Sequence, residues 1–292
     1  MRRSSLLRPA VALAVALPVA AVLAGCAQRG ETAAPPPASP AEGPARLVLE
    51  VEHTGGFVTP EMLAGRLPLV AVLADGRVVT QGAQIAIYPS PALPSLQLWQ
   101  LDADGVQTVV DRAVAAGVTD TGDLGSPAIA DAPSTRFTLV TDDGTEVREV
   151  YALGMEVDDP ALTPEQRTAR GALQGLLDVL TDPGTTLGAE GPEPYEPEAV
   201  AAVVRPWTAD PDSELVQPEV SWPGPALPGE DLDARLGLSC VVARGDEADA
   251  VLAAAAGANV LTPWVAADGT RWALTLRPLL PHETGCGDLV EQ

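Results

Sequence analysis

Two histidines (His53 and His282), three cysteines (Cys26, Cys240 and Cys286) and no lysine set the limits on the chemistry this chain can do. Imidazole is the usual general base near neutral pH, and the lysine amine is the usual Schiff-base former. With two of the first and none of the second, most such chemistry lacks a residue. Gly237-Leu238-Ser239-Cys240 lacks the second glycine of a nucleophile elbow. No His-Glu-x-x-His, no Cys-x-x-Cys and no Gly-Lys phosphate loop occurs. No catalytic residue, metal set or cofactor is therefore assigned. His53 ends a strand beside a Gly-Gly turn and reads as a structural residue. Carboxylate-only catalysis stays open, because Asp and Glu number 40. Asp102, Asp104, Asp120 and Asp123 crowd one region but miss the spacing of a calcium loop. Asp102 and Asp104 read instead as helix-capping residues.

The N-terminus carries three arginines and no acid, then the apolar run Pro9 to Val22. That run is too short and too alanine-rich for a comfortable spanning helix, and Pro18 interrupts it. It ends in Leu23-Ala24-Gly25-Cys26, which resembles the lipobox of bacterial lipoproteins. The resemblance implies a signal peptide over residues 1–25, cleavage before Cys26, and a diacylglyceryl thioether on its sulfur. Further fatty acylation of the new amino group would give two or three chains, enough to anchor stably. The implied address is the extracytoplasmic face of the cell membrane. Residues 26–45 hold no apolar side chain larger than Ala beyond Cys26, and they include Pro35-Pro36-Pro37. Such a segment reads as a disordered, semi-rigid tether.

All 17 basic residues are arginine, and three leave with the signal, so the mature chain sets 14 against 40 acids (14 − 40 = −26). That balance excludes nucleic acid as a partner. Export also decides the reading of Cys240 and Cys286. In an oxidising compartment an even pair reads as a disulfide, and neither a metal site nor a reactive thiol has partner residues. Closing a loop of 46 residues (286 − 240) stabilises by roughly 3–4 kcal/mol on the chain-entropy model.

The elements that must position these residues follow from periodicity. Residues 46–53 alternate and read as a strand, and 68–73 and 77–80 read as two more, joined by a hairpin turn at Asp75-Gly76. A helix follows Asp102 and ends at Gly117; residues 136–140 and 146–151 form a hairpin over Asp142-Asp143-Gly144. Thr163-Pro164-Glu165-Gln166 opens a second helix with a capping box. The Gly/Pro/Glu-rich stretch 184–198 reads as a linker. Beyond it come a strand at 200–204, a helix at 247–256 and a hairpin at Asp268-Gly269-Thr270. Trp222-Pro223-Gly224-Pro225-Ala226-Leu227-Pro228 mirrors Tyr88-Pro89-Ser90-Pro91-Ala92-Leu93-Pro94. We therefore expect an α+β fold with two related lobes, 46–183 and 199–292, each of antiparallel strands and hairpins with packed helices. Trp264 and Trp272 flank the last turn; they form either an aromatic binding face or the core of an alanine-rich lobe.

Gly55-Gly56-Phe57, Ala74-Asp75-Gly76-Arg77-Val78, Tyr88-Pro89 and Ala130-Asp131-Ala132-Pro133 resemble a pattern of secreted actinobacterial lipoproteins of unknown function. That likeness implies no activity. Residues 46–153 also resemble emfourin-type metalloprotease inhibitors, which have a Gly-Gly-Phe after the first strand, here Gly55-Gly56-Phe57, then a helix and a hairpin with an aromatic-Thr-Leu strand, here Phe137-Thr138-Leu139. This resemblance implies inhibition through the Gly55-Gly56 loop. The leading expectation is a non-enzymatic envelope lipoprotein that binds a protein or glycan, with Gly55, Gly56, Phe57, Trp264 and Trp272 as its surface. A carboxylate hydrolase is the competing class.

Overall fold

The computed structural model describes residues 44–155, 159–209 and 215–289. The chain forms an α+β fold with two sheets. In order, β1 (Leu47–Gly55), α1 (Pro60–Ala64), β2 (Val70–Leu73), β3 (Arg77–Gln81), β4 (Leu96–Gln100), α2 (Ala103–Ala115), β5 (Pro133–Thr141), β6 (Gly144–Tyr151), α3 (Pro164–Thr181), α4 (Pro183–Leu187) and β7 (Glu190–Pro194) make the first lobe. The second comprises β8 (Ala199–Pro206), β9 (Val220–Ser221), β10 (Glu230–Asp233), β11 (Leu238–Arg244), α5 (Asp246–Ala255), β12 (Trp264–Val265) and β13 (Arg271–Pro278). A short 3-10 turn at Cys286–Leu289 follows.

The first sheet runs β6-β5-β1-β2-β3-β4-β7 and is antiparallel throughout. The expected capping box opens α3: Thr163 accepts from the Gln166 backbone, and the Gln166 side chain bonds the Thr163 backbone. Asp102 caps α2, its Oδ1 accepting from Gly105 N at 2.7 Å. The apolar stripe of α3 (Leu173, Leu176, Leu177, Leu180) and Val109 and Ala113 of α2 bury against Leu49, Val51, Val72, Phe137, Leu139 and Val150. The stretch 184–198 is more than a connection: its middle carries β7, which pairs with β4 at the sheet edge. At Asp75-Gly76 the turn needs glycine, because Gly76 has φ +89° and a Cβ would meet Leu101 O at 2.1 Å.

The second sheet runs β10-β11-β8-β13-β12-β9, antiparallel except for the parallel β12–β9 pair. Helix α5 covers one face through Ala248, Val251 and Ala255, packed on Val200, Ala202, Val241 and Leu276. The opposite face buries Ala201, Val203 and Cys240 against Leu279, Leu289 and Ala64, the last from α1 of the first lobe. Across the seam, Leu280 joins Leu67, Ala71, Val79 and Leu96. The central strands of both sheets are thus covered on both faces, and β2 and β8 read as continuous apolar runs.

The two lobes share a plan. A central strand (β1, β8) is flanked by a hairpin on each side, with a helix in the chain between the hairpins. The hairpins are inserted differently. In the first lobe the earlier strand of each hairpin, β2 and β5, lies inside; in the second the later strand, β11 and β13, does. The matching Pro-rich loops also meet: Ala92 and Leu93 of one pack on the same cluster as Trp222 and Leu227 of the other.

Candidate functional site

Strand β1 leads to a surface where backbone geometry and side-chain exposure converge. Its entry end is fixed by Ala45 N donating to Pro281 O at 2.9 Å and by Leu47 facing Leu73. Its far end pairs Gly55 with Pro133. Nine residues in extended form separate the two ends by on the order of 30 Å. There Gly55 (φ +61°) and Gly56 (φ +84°) bend the chain in the left-handed region that other residues avoid. Gly56 lies against Pro133, with a Cβ position 3.4 Å away. Arg66 Nη1 donates to His53 O at 2.9 Å and Gly55 O at 3.0 Å, and Phe57 N donates to Asp131 O at 3.2 Å. Behind the turn, α1 starts at Pro60, and Glu61 pairs with Arg205 of the second lobe at 3.1 Å. On this braced turn Phe57 is 88% exposed. A large apolar side chain in water on a fixed backbone has the makings of a binding anchor, since little ordering entropy opposes its burial by a partner.

The other expected surface residues lie elsewhere. Trp264 and Trp272 face each other across β12 and β13, as the turn implied. Trp264, however, is 1% exposed and meets Trp222 edge to face at 5.6 Å between ring centroids. Trp272 is half-buried against the same cluster. Trp264 thus fills the core of an alanine-rich lobe, with Trp272 packed against it, and is too buried to present a binding face. Cys240 and Cys286 are joined, with Cα atoms 6.0 Å apart. Cys26 lies outside the described residues.

The helix-free face of β1 carries a second constellation that alternation alone did not single out. Glu52, Arg136 and Glu149 line up across β1, β5 and β6. Arg136 donates to Glu52 Oε1 at 3.3 Å and lies 3.6 Å from Glu149. One step along β1, Glu50 lies 3.1 Å from His282 Nε2. Burial and the neighbouring Glu50 carboxylate push Glu52 from 4.5 up to about 7, against the pull of Arg136. Carboxylates do gather here, but the clefts of about 390, 420 and 330 Å³ are lined by other residues. His53 stands on the same strand, its Nδ1 3.4 Å from the buried hydroxyl of Thr135. Burial and the Arg66 guanidinium hold it below the usual imidazole range.

The Glu52 shift has a definite sign. Its folded value lies above its unfolded one, so the native state holds the extra proton between pH 4.5 and about 7. That contribution to stability is full below the window and is lost as pH rises through it. Glu52→Gln should remove this dependence. The stability of Glu52→Gln relative to the parent should grow by on the order of 2–3 kcal/mol between pH 4.5 and 8. A difference that stays flat in urea titrations across that range would refute the shifted carboxyl.

The crowded aspartates are local structure. Besides the cap at Asp102, Asp123 accepts from Gly125 N at 2.9 Å and from Gln166 Nε2 at 2.9 Å. Among the described residues no group of three or more His, Cys, Asp or Glu is placed to hold a metal ion. None of the described helices is long and apolar enough to cross a membrane. No protein-family model, no curated protein and no solved structure matches the chain. The likenesses at Leu23–Cys26 and Gly55–Phe57 therefore rest on those residues alone.

Proposed function

We propose that the chain is a membrane-anchored envelope lipoprotein, held by fatty acyl chains on Cys26, whose folded part is a non-enzymatic module that binds an envelope protein through the Phe57 turn. The observation that carries this reading is Phe57, 88% exposed on a braced turn at the end of β1 opposite the chain's entry. The acidic balance of the mature chain adds a selectivity, favouring basic partners through faster encounter.

Two substitutions separate the parts of the proposal. Phe57→Ala removes an anchor without touching the core, so the fold and disulfide should persist while partner capture falls by at least thirtyfold, the scale of a central hot spot at about 2 kcal/mol. Quantitative recovery of partners from cross-linked intact envelope, parent against variant, measures this; an unchanged partner profile sinks the Phe57 reading. Cys26→Ser should release the protein or leave it as the uncleaved precursor, with Cys240 and Cys286 still bridged. If that variant fractionates with the membrane at mature size, the anchor reading is wrong.

A further inference from the structure

A strand at the edge of a sheet holds out N–H and C=O groups that a further strand can pair with, and proteins guard such edges. Among the described residues the edges are β6 and β7 in the first sheet and β9 and β10 in the second. Three of these are guarded. Strand β7 carries Pro192 and Pro194 in its five residues, and its register with β4 breaks between Leu98 and Gln100. Strand β9 is two residues long. Strand β10 has four residues, with acids at Glu230, Asp231 and Asp233, and its register breaks as well. Strand β6 differs. It runs eight residues without a proline and pairs with β5 in unbroken register from Gly144 to Tyr151.

The hairpin geometry fixes which groups β6 holds out. Only Asp142 and Asp143 lie between Thr141 and Gly144, so Thr141 and Gly144 form a hydrogen-bonded pair. Alternation then turns the backbone groups of Glu146, Arg148 and Val150 toward β5, and those of Thr145, Val147 and Glu149 outward. Among the described residues nothing bonds these outward groups. Tyr151 closes the open stretch, because its carbonyl accepts from Arg170 Nη2 at 2.6 Å. Side chains alternate too. Val150 lies on the helix-covered face, and Glu146 and Arg148 share that face with it. Val147 stands on the other face between Thr145 and Glu149, 56% exposed.

We propose that β6 pairs antiparallel with β6 of a second copy, joining the first sheets of both chains into one. A two-fold pairing must set outward residue against outward residue, so its axis passes through a residue and not between two. An axis at Glu146 would set that carboxylate against its own copy, and an axis at Arg148 would do the same with a guanidinium. An axis at Val147 sets the exposed valine on valine, and faces Glu146 of each chain with Arg148 of the other. These are non-hydrogen-bonded pairs, in which side chains stand closest, with Cα atoms about 4.5 Å apart. Val147 is also the centre of the open stretch Thr145–Glu149, so this register engages all of its outward groups. The sequence of the edge is thus complementary to itself in charge and in backbone bonding, which is what names a second copy as its occupant. The net charge of −23 opposes association at long range, but salt screens it beyond about 8 Å at physiological strength. The inference does not depend on Phe57 or on the lipid.

The test is Val147→Cys in the full-length protein under mild oxidation, read on a non-reducing gel against the parent. On the axis the two Cα atoms stand about 5.5 Å apart, within the span of a disulfide. A linked product of twice the chain mass should form. Glu146→Cys alone should give at least tenfold less of it, because that position faces Arg148 and not itself. Glu146→Arg added to Val147→Cys should also cut the yield at least tenfold, by setting arginine against arginine. The intact Cys240–Cys286 bridge serves as the folding control for every variant. A Val147→Cys chain that links no more than the parent, or links only to another protein, overturns the proposal. Equal yields from Glu146→Cys and Val147→Cys, or a yield undiminished by Glu146→Arg, overturn it as well.

Discussion

Glu283→Ala is expected to lower the unfolding free energy by about 3–5 kcal/mol, the scale of a broken buried ion pair. Arg277 is fully buried, and both its terminal nitrogens donate to Glu283, one of them at 2.6 Å to Oε2. Its Nε donates to Arg66 O at 3.0 Å, so a second-lobe guanidinium reaches the first-lobe backbone. Glu283 also accepts from Leu280 N at 2.6 Å, holding the segment that lays Leu280 across the seam. Removing the carboxylate strands a charge in a site where water cannot replace it. The double change Arg277→Met with Glu283→Leu should recover much of the loss, because the desolvation cost of both charges goes with them. Urea denaturation at neutral pH measures both. A loss under about 1 kcal/mol for Glu283→Ala, typical of an exposed pair, would show that the pair is not sealed from solvent.

Loss of the disulfide should rank second. Cys240→Ala with Cys286→Ala opens a loop of 46 residues and should cost roughly 3–4 kcal/mol, largely by freeing the unfolded chain. The native contacts should change little, since Leu289 and Leu279 still pack against Leu238 and Val203. Both sulfurs are buried, Cys240 at 1% and Cys286 at 5% exposure. A thiol reductant should therefore act on the native protein only as fast as it opens, and at once in denaturant. Melting with and without reductant reads the first effect, and alkylation kinetics the second. Rapid labelling of both cysteines in the reduced, undenatured protein would contradict the packing.

Elements with a local signature were legible in the sequence. Helix α3 announced itself by a capping box and an i, i+3, i+4, i+7 leucine stripe, and the Asp-Gly turns by the residue their backbone requires. Strand β4 and strand β11 were not. Leu96-Gln97-Leu98-Trp99-Gln100 follows a proline-rich loop, and Leu238–Arg244 holds an unbroken apolar run, so neither alternates cleanly. Their identity comes from neighbours far away in the chain. The seam residues were hidden for a related reason. Arg277 alternates with Leu274 and Leu276 as a solvent-facing residue would, yet Glu283 from farther along the chain and the Arg66 backbone of the other lobe both meet it. At the candidate site, Gly55-Gly56-Phe57 could be read directly, because two glycines before a large aromatic describe a turn and what it presents. The tryptophans could not be placed, since core and binding face ask for the same residue type.

The place of β1 bears on force. The chain enters at one end of this strand and Phe57 stands just past the other. On the anchored-binder reading, a partner drifting away from the membrane pulls on both ends at once, along the strand axis. The ladder bonds to β2 and β5 lie across that axis. Such a load must slide them together and cannot peel them one by one. Strand β1, inside the first sheet, would then serve as the protein's tensile member, and its rate of forced unfolding, more than its equilibrium stability, would set how long a bound partner is held.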